Sequence, residues 1–246
     1  MSTLPIAASP TTQPQAVDNV RPRDAATLIV LRRDGDQPCV LMGRRHDNHK
    51  FMPGKYVFPG GRVDYADSRI KPGSELSAPV SNKLQQRMRG TATAARARAL
   101  ALAALRETFE ETSLALGDPL GKEKANSKSP AWQAFFDAGV RPRLGPLQFV
   151  ARAITPPRRV RRYDTRFFLT LQEDWDRLSF DIAPSSELTE VHWVTFQQAQ
   201  TLDLPRVTSF VLKDLEQRLN RSNKLSFGQK VPFFRYHGNS WLHDHL

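Results

Sequence analysis

The chain has 246 residues, a single cysteine, and a formal net charge of +11 with a pI near 10.2. One cysteine excludes an intrachain disulfide and a cysteine-rich metal site, and no stretch approaches the roughly 20 apolar residues that a membrane-crossing helix needs. Hydrophobic residues at 39% and charged residues at 25% are ordinary for a folded domain, so the excess of positive charge is the unusual feature. It favours polyanionic partners, whether nucleic acid, anionic lipid or phosphorylated small molecules.

Residues 1–20 are rich in Pro, Thr, Ser and Gln and read as a disordered tail. They lack the basic start and apolar core of a signal peptide. Together with the lone cysteine this predicts a cytoplasmic protein. The runs "AATLIVLRR" (25–33) and "PCVLMGRR" (38–45) read as strands joined by a "DGD" turn. "KYVFPGGRV" (55–63) reads as a strand running into a Pro-Gly-Gly turn, where Gly60 and Gly61 permit close backbone approach. Residues 65–93 mix Pro, Gly, Ser and charge and read as an inserted, partly ordered loop with one short amphipathic piece near 80–89. From Thr93 to Thr112 the chain is alanine-rich and free of glycine and proline, which predicts a helix with Leu102, Leu105 and Phe109 on its apolar face.

Pro130 announces a short helix over 131–139. Strands follow over 147–154 and 165–172, on either side of the basic loop "TPPRRVRRYD" (155–164), with another strand over 188–196 and an amphipathic helix over 205–220. The end, "VPFFRYHGNSWLHDHL", is aromatic and histidine-rich but has no clear period. Helices interleave with strands, and the opening hairpin is antiparallel. The fold class predicted is α+β with a mixed sheet. The domain reading is a tail over 1–20, one domain over 21–225 and an extension over 226–246.

Glu107, Glu110 and Glu111 stand three and four positions apart in the helical stretch, so they share one face with Cβ atoms roughly 5–6 Å apart. Like charges at that spacing repel. Residues 94–106 hold no acid and carry Arg96, Arg98 and Arg106, so the acidity is focused at the helix end. Clustered carboxylates suit hard oxygen-seeking ions such as Mg²⁺ or Mn²⁺, and Arg106 can neutralise one neighbour through a fork-like pair. A solvated acidic face with distant counterions is the alternative.

"FPGGRVD" followed by "AALRETFEET" resembles the Nudix box of the Nudix hydrolases. Gly61 matches the box glycine, Arg106-Glu107 its Arg-Glu pair and Glu110-Glu111 its paired glutamates. The resemblance implies a Nudix-like α/β/α sandwich in which Glu107, Glu110 and Glu111 hold Mg²⁺ or Mn²⁺, Arg106 positions a glutamate, and a diphosphate is hydrolysed. The sequence departs from the pattern in three ways. Gly61 and Arg106 are separated by the 65–93 insert. The box's first glutamate, counted back from Arg106, falls on Arg98, leaving Asp64, Asp67 or Glu75 to replace it. Ser113 and Thr108 stand for a glycine and an aliphatic residue. The insert, with "ITPPRRVRRYDTRFFL" (154–169), resembles the branch containing the acyl-CoA diphosphatases.

That branch implies cleavage of the diphosphate in a CoA-type or nucleoside diphosphate derivative. Family members often add a glutamate before a late strand; Glu187 and Glu190 stand there, and Glu187, farther from the strand, is the preferred catalytic candidate. Arg158, Arg159, Arg161 and Arg162, with Arg44 and Arg45 at the end of the second strand, are placed to bind substrate phosphates as guanidinium forks. The partner expected is therefore a small-molecule diphosphate. No aromatic-studded RNA motif supports nucleic acid, no membrane is involved, and a homodimer stays open. The alternative is a Nudix-fold ligand-binding or regulatory module with impaired catalysis.

Overall fold

The computed structural model describes residues 20–33, 35, 37–48, 52–175, 182–221, 230–238 and 240–246. The tail read over 1–20, apart from Val20, and most of the "DGD" turn lie outside the described residues. In chain order the strands are β1 (Arg23–Arg32), β2 (Cys39–Arg45), β3 (Tyr56–Val57), β4 (Gly60–Arg62), β5 (Gly117–Pro119), β6 (Val140–Pro142), β7 (Gln148–Ile154), β8 (Tyr163–Leu171), β9 (Leu188–Thr195), β10 (Pro232–His237) and β11 (Ser240–His245). The helices are α1 (Ala78–Gln85), α2 (Ala94–Thr112), α3 (Pro130–Asp137), α4 (Phe196–Ala199) and α5 (Arg206–Arg221), with a 3-10 turn over Tyr65–Arg69. Among the described residues no helix is long and apolar enough to cross a membrane.

Nine strands form one sheet with the path β11-β10-β7-β8-β1-β2-β3, to which β4 adds beside β1 and β9 beside β2. β1 runs parallel to β8 and β7 parallel to β10, while the other pairs in the sheet are antiparallel. The sheet is therefore mixed, and helices cover both faces. Leu28 and Phe168 pack with Leu100, Leu102 and Leu105 of α2 on one side; Ile29, Met42 and Leu169 pack with Val211, Leu212 and Leu215 of α5 on the other. This is an α/β/α sandwich built on two apolar layers. Each fully buried leucine or isoleucine contributes on the order of 2 kcal/mol.

Two readings need correction. The 65–93 segment is more ordered than its composition implies: Asp64 caps the 3-10 turn, accepting from the Ala66 amide at 2.8 Å, and Ile70, Val80, Leu84 and Met88 are buried. Its apolar partners are the outer side of α2, which explains why α2 is buried around most of its circumference and not only along Leu102, Leu105 and Phe109. The insert is also fastened to the sheet. Arg152, fully buried, donates from Nη1 to the carbonyls of Gln86 and Arg87 (3.3 and 3.0 Å) and forks onto Asp164 at 2.8 Å through both Nε and Nη2. Burial pushes the Asp164 carboxyl up, but Arg152, Arg166 and Arg89 outweigh it and hold it below its ordinary value.

The second correction is the C-terminal end. The segment without a period forms the β10–β11 hairpin, and β10 pairs with β7, extending the main sheet. The small β5–β6 pair also had no clear signal in sequence.

Candidate active site

The Pro-Gly-Gly turn and the acidic end of α2 meet directly. β4 is held against β1 through Gly60↔Thr27 and Gly61↔Ala26, and α2 crosses the same end of the sheet. The Gly60 amide donates to the Glu111 Oε2 at 2.8 Å, so it serves Glu111 and is already occupied within the protein. Gly61 lies so close to Glu107 that an added Cβ would stand 2.5 Å from its carboxylate. Any side chain there would have to push the Glu107 carboxylate aside.

Arg106 organises the cluster. Its Nη1 donates to Glu107 (3.0 Å) and Glu110 (2.5 Å), its Nη2 to the Arg62 carbonyl (3.0 Å), and its Nε and Nη2 fork onto Asp67 at 2.8 and 3.1 Å. Burial opposes its charge, but the surrounding carboxylates more than compensate and raise its pKa. Asp67 is fully buried and also accepts from Trp132 Nε1 at 2.8 Å and from the Asp64 amide at 2.7 Å.

The three replacement carboxylates are thereby separated by role. Asp64 caps a turn. Glu75 pairs with Arg98 at 2.8 Å. Asp67 takes the place beside Arg106, and it is the residue reached when the box is counted forward from Gly61 instead of back from Arg106. Ser113 adopts the left-handed conformation at the end of α2 (φ 61), where glycine is otherwise favoured. Thr108 is buried and bonds the Ala104 carbonyl.

Electrostatically the carboxylates lack positive charge. Burial above all, with repulsion from Glu110 and Glu187, outweighs Arg106 and pushes Glu107 up to about 7. Glu111 rises to about 8, again chiefly from burial, with Glu107 and Glu187 adding to it and the Gly60 amide and Arg45 opposing. An all-oxygen donor set in this condition suits a hard divalent ion by its chemistry. Among the described residues no three Asp, Glu, His or Cys side chains are grouped as ligands; Arg106 pairs with Glu107 and Glu110, and Glu111 accepts from the Gly60 amide.

Above the cluster opens a cleft of about 2570 Å³, in which arginines and lysines far outnumber carboxylates. Glu107, Glu110, Gly60, Gly61, Arg45, Arg158, Arg159, Arg162 and Glu187 all line it. Glu187 and Arg45 are 3.9 Å apart. Glu190 is engaged instead by Tyr56 Oη at 2.9 Å. Arg44 does not line the cleft: Asp47 holds it at 2.7 Å and Glu190 approaches at 3.9 Å. Arg162 is tied to the backbone carbonyls of Thr155 and Val20, whereas Arg158 and Arg159 are exposed on the rim. Sequence reasoning missed Trp132; its signal was a polar ring edge in an otherwise apolar helix.

No family model matches the sequence. Among solved structures, the chain is similar to a Nudix hydrolase from Alicyclobacillus acidocaldarius, with a TM-score of 0.57 and 29% identity over 85% of this chain and 99% of that one. That likeness gives the chain the fold of the Nudix hydrolases. It is also similar to the Nudix domain of Shewanella oneidensis NrtR complexed with ADP ribose (14% identity, TM-score 0.45, 85% of this chain and 94% of that one). A third likeness is to a C. elegans Ap4A hydrolase (14% identity, TM-score 0.41, 81% and 100%). In this chain the Pro-Gly-Gly turn and the acidic end of α2 are separated by an ordered segment, and Asp67, near its start, is the carboxylate that meets Arg106.

Proposed function

We propose that this Nudix-fold chain is a divalent-metal-dependent hydrolase that cleaves the diphosphate linkage of a CoA-type or nucleoside diphosphate derivative. The observation that carries the reading is the joint placement of Glu107 against Gly61 and Glu111 on the Gly60 amide, at the floor of an arginine-rimmed cleft. Glu107, Glu110 and Glu111 would hold Mg²⁺ or Mn²⁺. Such an ion, when bound, supplies Lewis acidity toward a phosphoryl oxygen and lowers the pKa of water.

The protein's own part is positioning and charge. Arg106 fixes Glu107 and Glu110, and Asp67 fixes Arg106. Arg45, Arg158 and Arg159 draw the substrate phosphates into the cleft, and Arg162 stiffens the loop that carries them. Glu187, beside Arg45 at the cleft wall, accepts a proton from the attacking water. That water's oxygen forms a bond to one phosphorus, the bond from that phosphorus to the bridging oxygen breaks, and two monophosphates leave. The lining of the cleft favours a substrate with several phosphates, which a CoA derivative carries.

Incubation of CoA, an acyl-CoA, ADP-ribose and NADH with Mg²⁺ or Mn²⁺ checks the proposal. The expected result is metal-dependent release of two monophosphates, 3′,5′-ADP and a phosphopantetheine product in the case of CoA. A complete lack of turnover across the panel would favour the ligand-binding alternative.

A further inference from the structure

The cleft is much longer than a diphosphate requires. From Gly60 and Glu107 it runs across the sheet to the far edge, where Phe210 and Arg206 of α5 and Tyr236, Trp241 and His243 of the C-terminal hairpin line it. One row of paired residues runs along it, Arg62↔Ala25, Ala25↔Thr165, Thr165↔Ala153, Ala153↔Phe234 and Phe234↔His243; all of them line the cleft except Phe234, which is buried. The side chains between β4 and β10 are small; beyond them the row turns aromatic. β10 lies three strands from β1, roughly 14 Å at the usual spacing.

The aromatic end is a built wall. Phe210 stacks on Phe234 (5.5 Å between centroids, 28°) and meets His243 edge-on at 4.8 Å and Trp241 at 6.3 Å; Tyr236 meets Trp241 edge-on at 5.8 Å. Arg206 lies over Phe210 at 5.6 Å. Tyr236 and Trp241 are half-buried and His243 is exposed, so ring surface remains open to the cleft. An alkyl chain would gain little from a wall edged with Arg206, His243 and the Tyr236 hydroxyl. A flat heteroaromatic ring gains stacking and polar edge contacts together. The exposed Arg158 and Arg159, which line the same cleft as the wall and the glutamates, match the phosphates that join such a ring to the scissile bond.

We propose that this wall is the base site: the heteroaromatic base of the substrate's nucleoside half packs against Trp241 and Tyr236, so that the C-terminal hairpin sets substrate choice. The inference deepens the hydrolase reading and rests on it for the direction in which the substrate lies.

The test is calorimetric binding of AMP, ribose 5-phosphate and octanoate to the full chain, with no turnover involved. AMP should bind at least about 10-fold more tightly than ribose 5-phosphate. Trp241→Ala should weaken AMP by about 10-fold or more and leave ribose 5-phosphate unchanged, while Trp241→Phe, which keeps a ring, retains most of the affinity. His243→Ala, at an exposed position beside Phe210 and Phe234, gives a second readout and should weaken AMP while leaving ribose 5-phosphate unchanged. Equal AMP affinity in wild type, Trp241→Ala and His243→Ala would overturn the base site, as would binding of octanoate in preference to AMP. Trp241-dependent AMP binding without hydrolysis of any diphosphate would keep the base site and sink the hydrolase reading. Hydrolysis with Trp241-independent AMP binding would do the reverse.

Discussion

Glu111→Gln is expected to lower kcat by about 10³-fold, the scale of losing a proton-handling or charge-stabilising group, while raising the stability of the metal-free protein. The two effects share one cause. Glu111 is buried, and its pKa is pushed from 4.5 to about 8. Because the folded-state value lies above the unfolded one, the folded chain holds the proton longer. Stability is therefore fullest below pH 4.5 and declines as pH rises through about 8. A glutamine keeps an oxygen for the Gly60 amide but never ionises. Thermal unfolding at pH 8.5 without divalent ions should place the variant roughly 5 °C above wild type, with a flatter pH profile. A variant both inactive and less stable at that pH would contradict the electrostatic account.

Asp67→Asn should produce the largest loss of stability. Asp67 is fully buried and is the partner of Arg106 and of the Trp132 ring nitrogen. Removing its charge leaves a buried guanidinium under-compensated, at a cost of about 3–5 kcal/mol, or about 10 °C in Tm. Loosening of Arg106 displaces Glu107 and Glu110, so kcat should fall by about 10²-fold in whatever protein remains folded. A double-mutant cycle with Arg106→Met checks the coupling: the pair should destabilise by at least about 2 kcal/mol less than the sum of the single changes. Additive losses would mean that the two residues do not act as a unit.

How far the sequence reached depended on where each signal resided. The strands over 25–33, 38–45 and 147–154 and the helix ending at Thr112 were written in local pattern, and the structure places them within a few residues. The partnership of "FPGG" with "RETFEE" was legible because glycine beside clustered carboxylates is a chemical signal as well as a pattern. Asp67 was harder. Counting back from Arg106 stays within α2 and lands on Arg98, which pairs with Glu75; the fold is what sets Asp67, near the start of the insert, against Arg106.

The insert itself looked loop-like because Val80, Leu84 and Met88 are isolated in a polar segment, and their burial depends on the outer side of α2, distant in sequence. The C-terminal hairpin escaped notice for a related reason. Its pairing with β7 is parallel and non-local, and its aromatic residues fall on neither period. Arg44 and Arg45, adjacent in sequence, are separated by strand alternation: Arg45 lines the cleft, and Arg44 is engaged by Asp47 and Glu190.

The most direct measurement of the central claim is Mn²⁺ binding followed by electron paramagnetic resonance, comparing wild type with Glu107→Gln at pH 7.5. The account predicts that wild type takes up Mn²⁺ and that the variant loses most of this uptake while remaining folded. Equal uptake by the two proteins, or none by wild type in the presence of a diphosphate substrate, would contradict it.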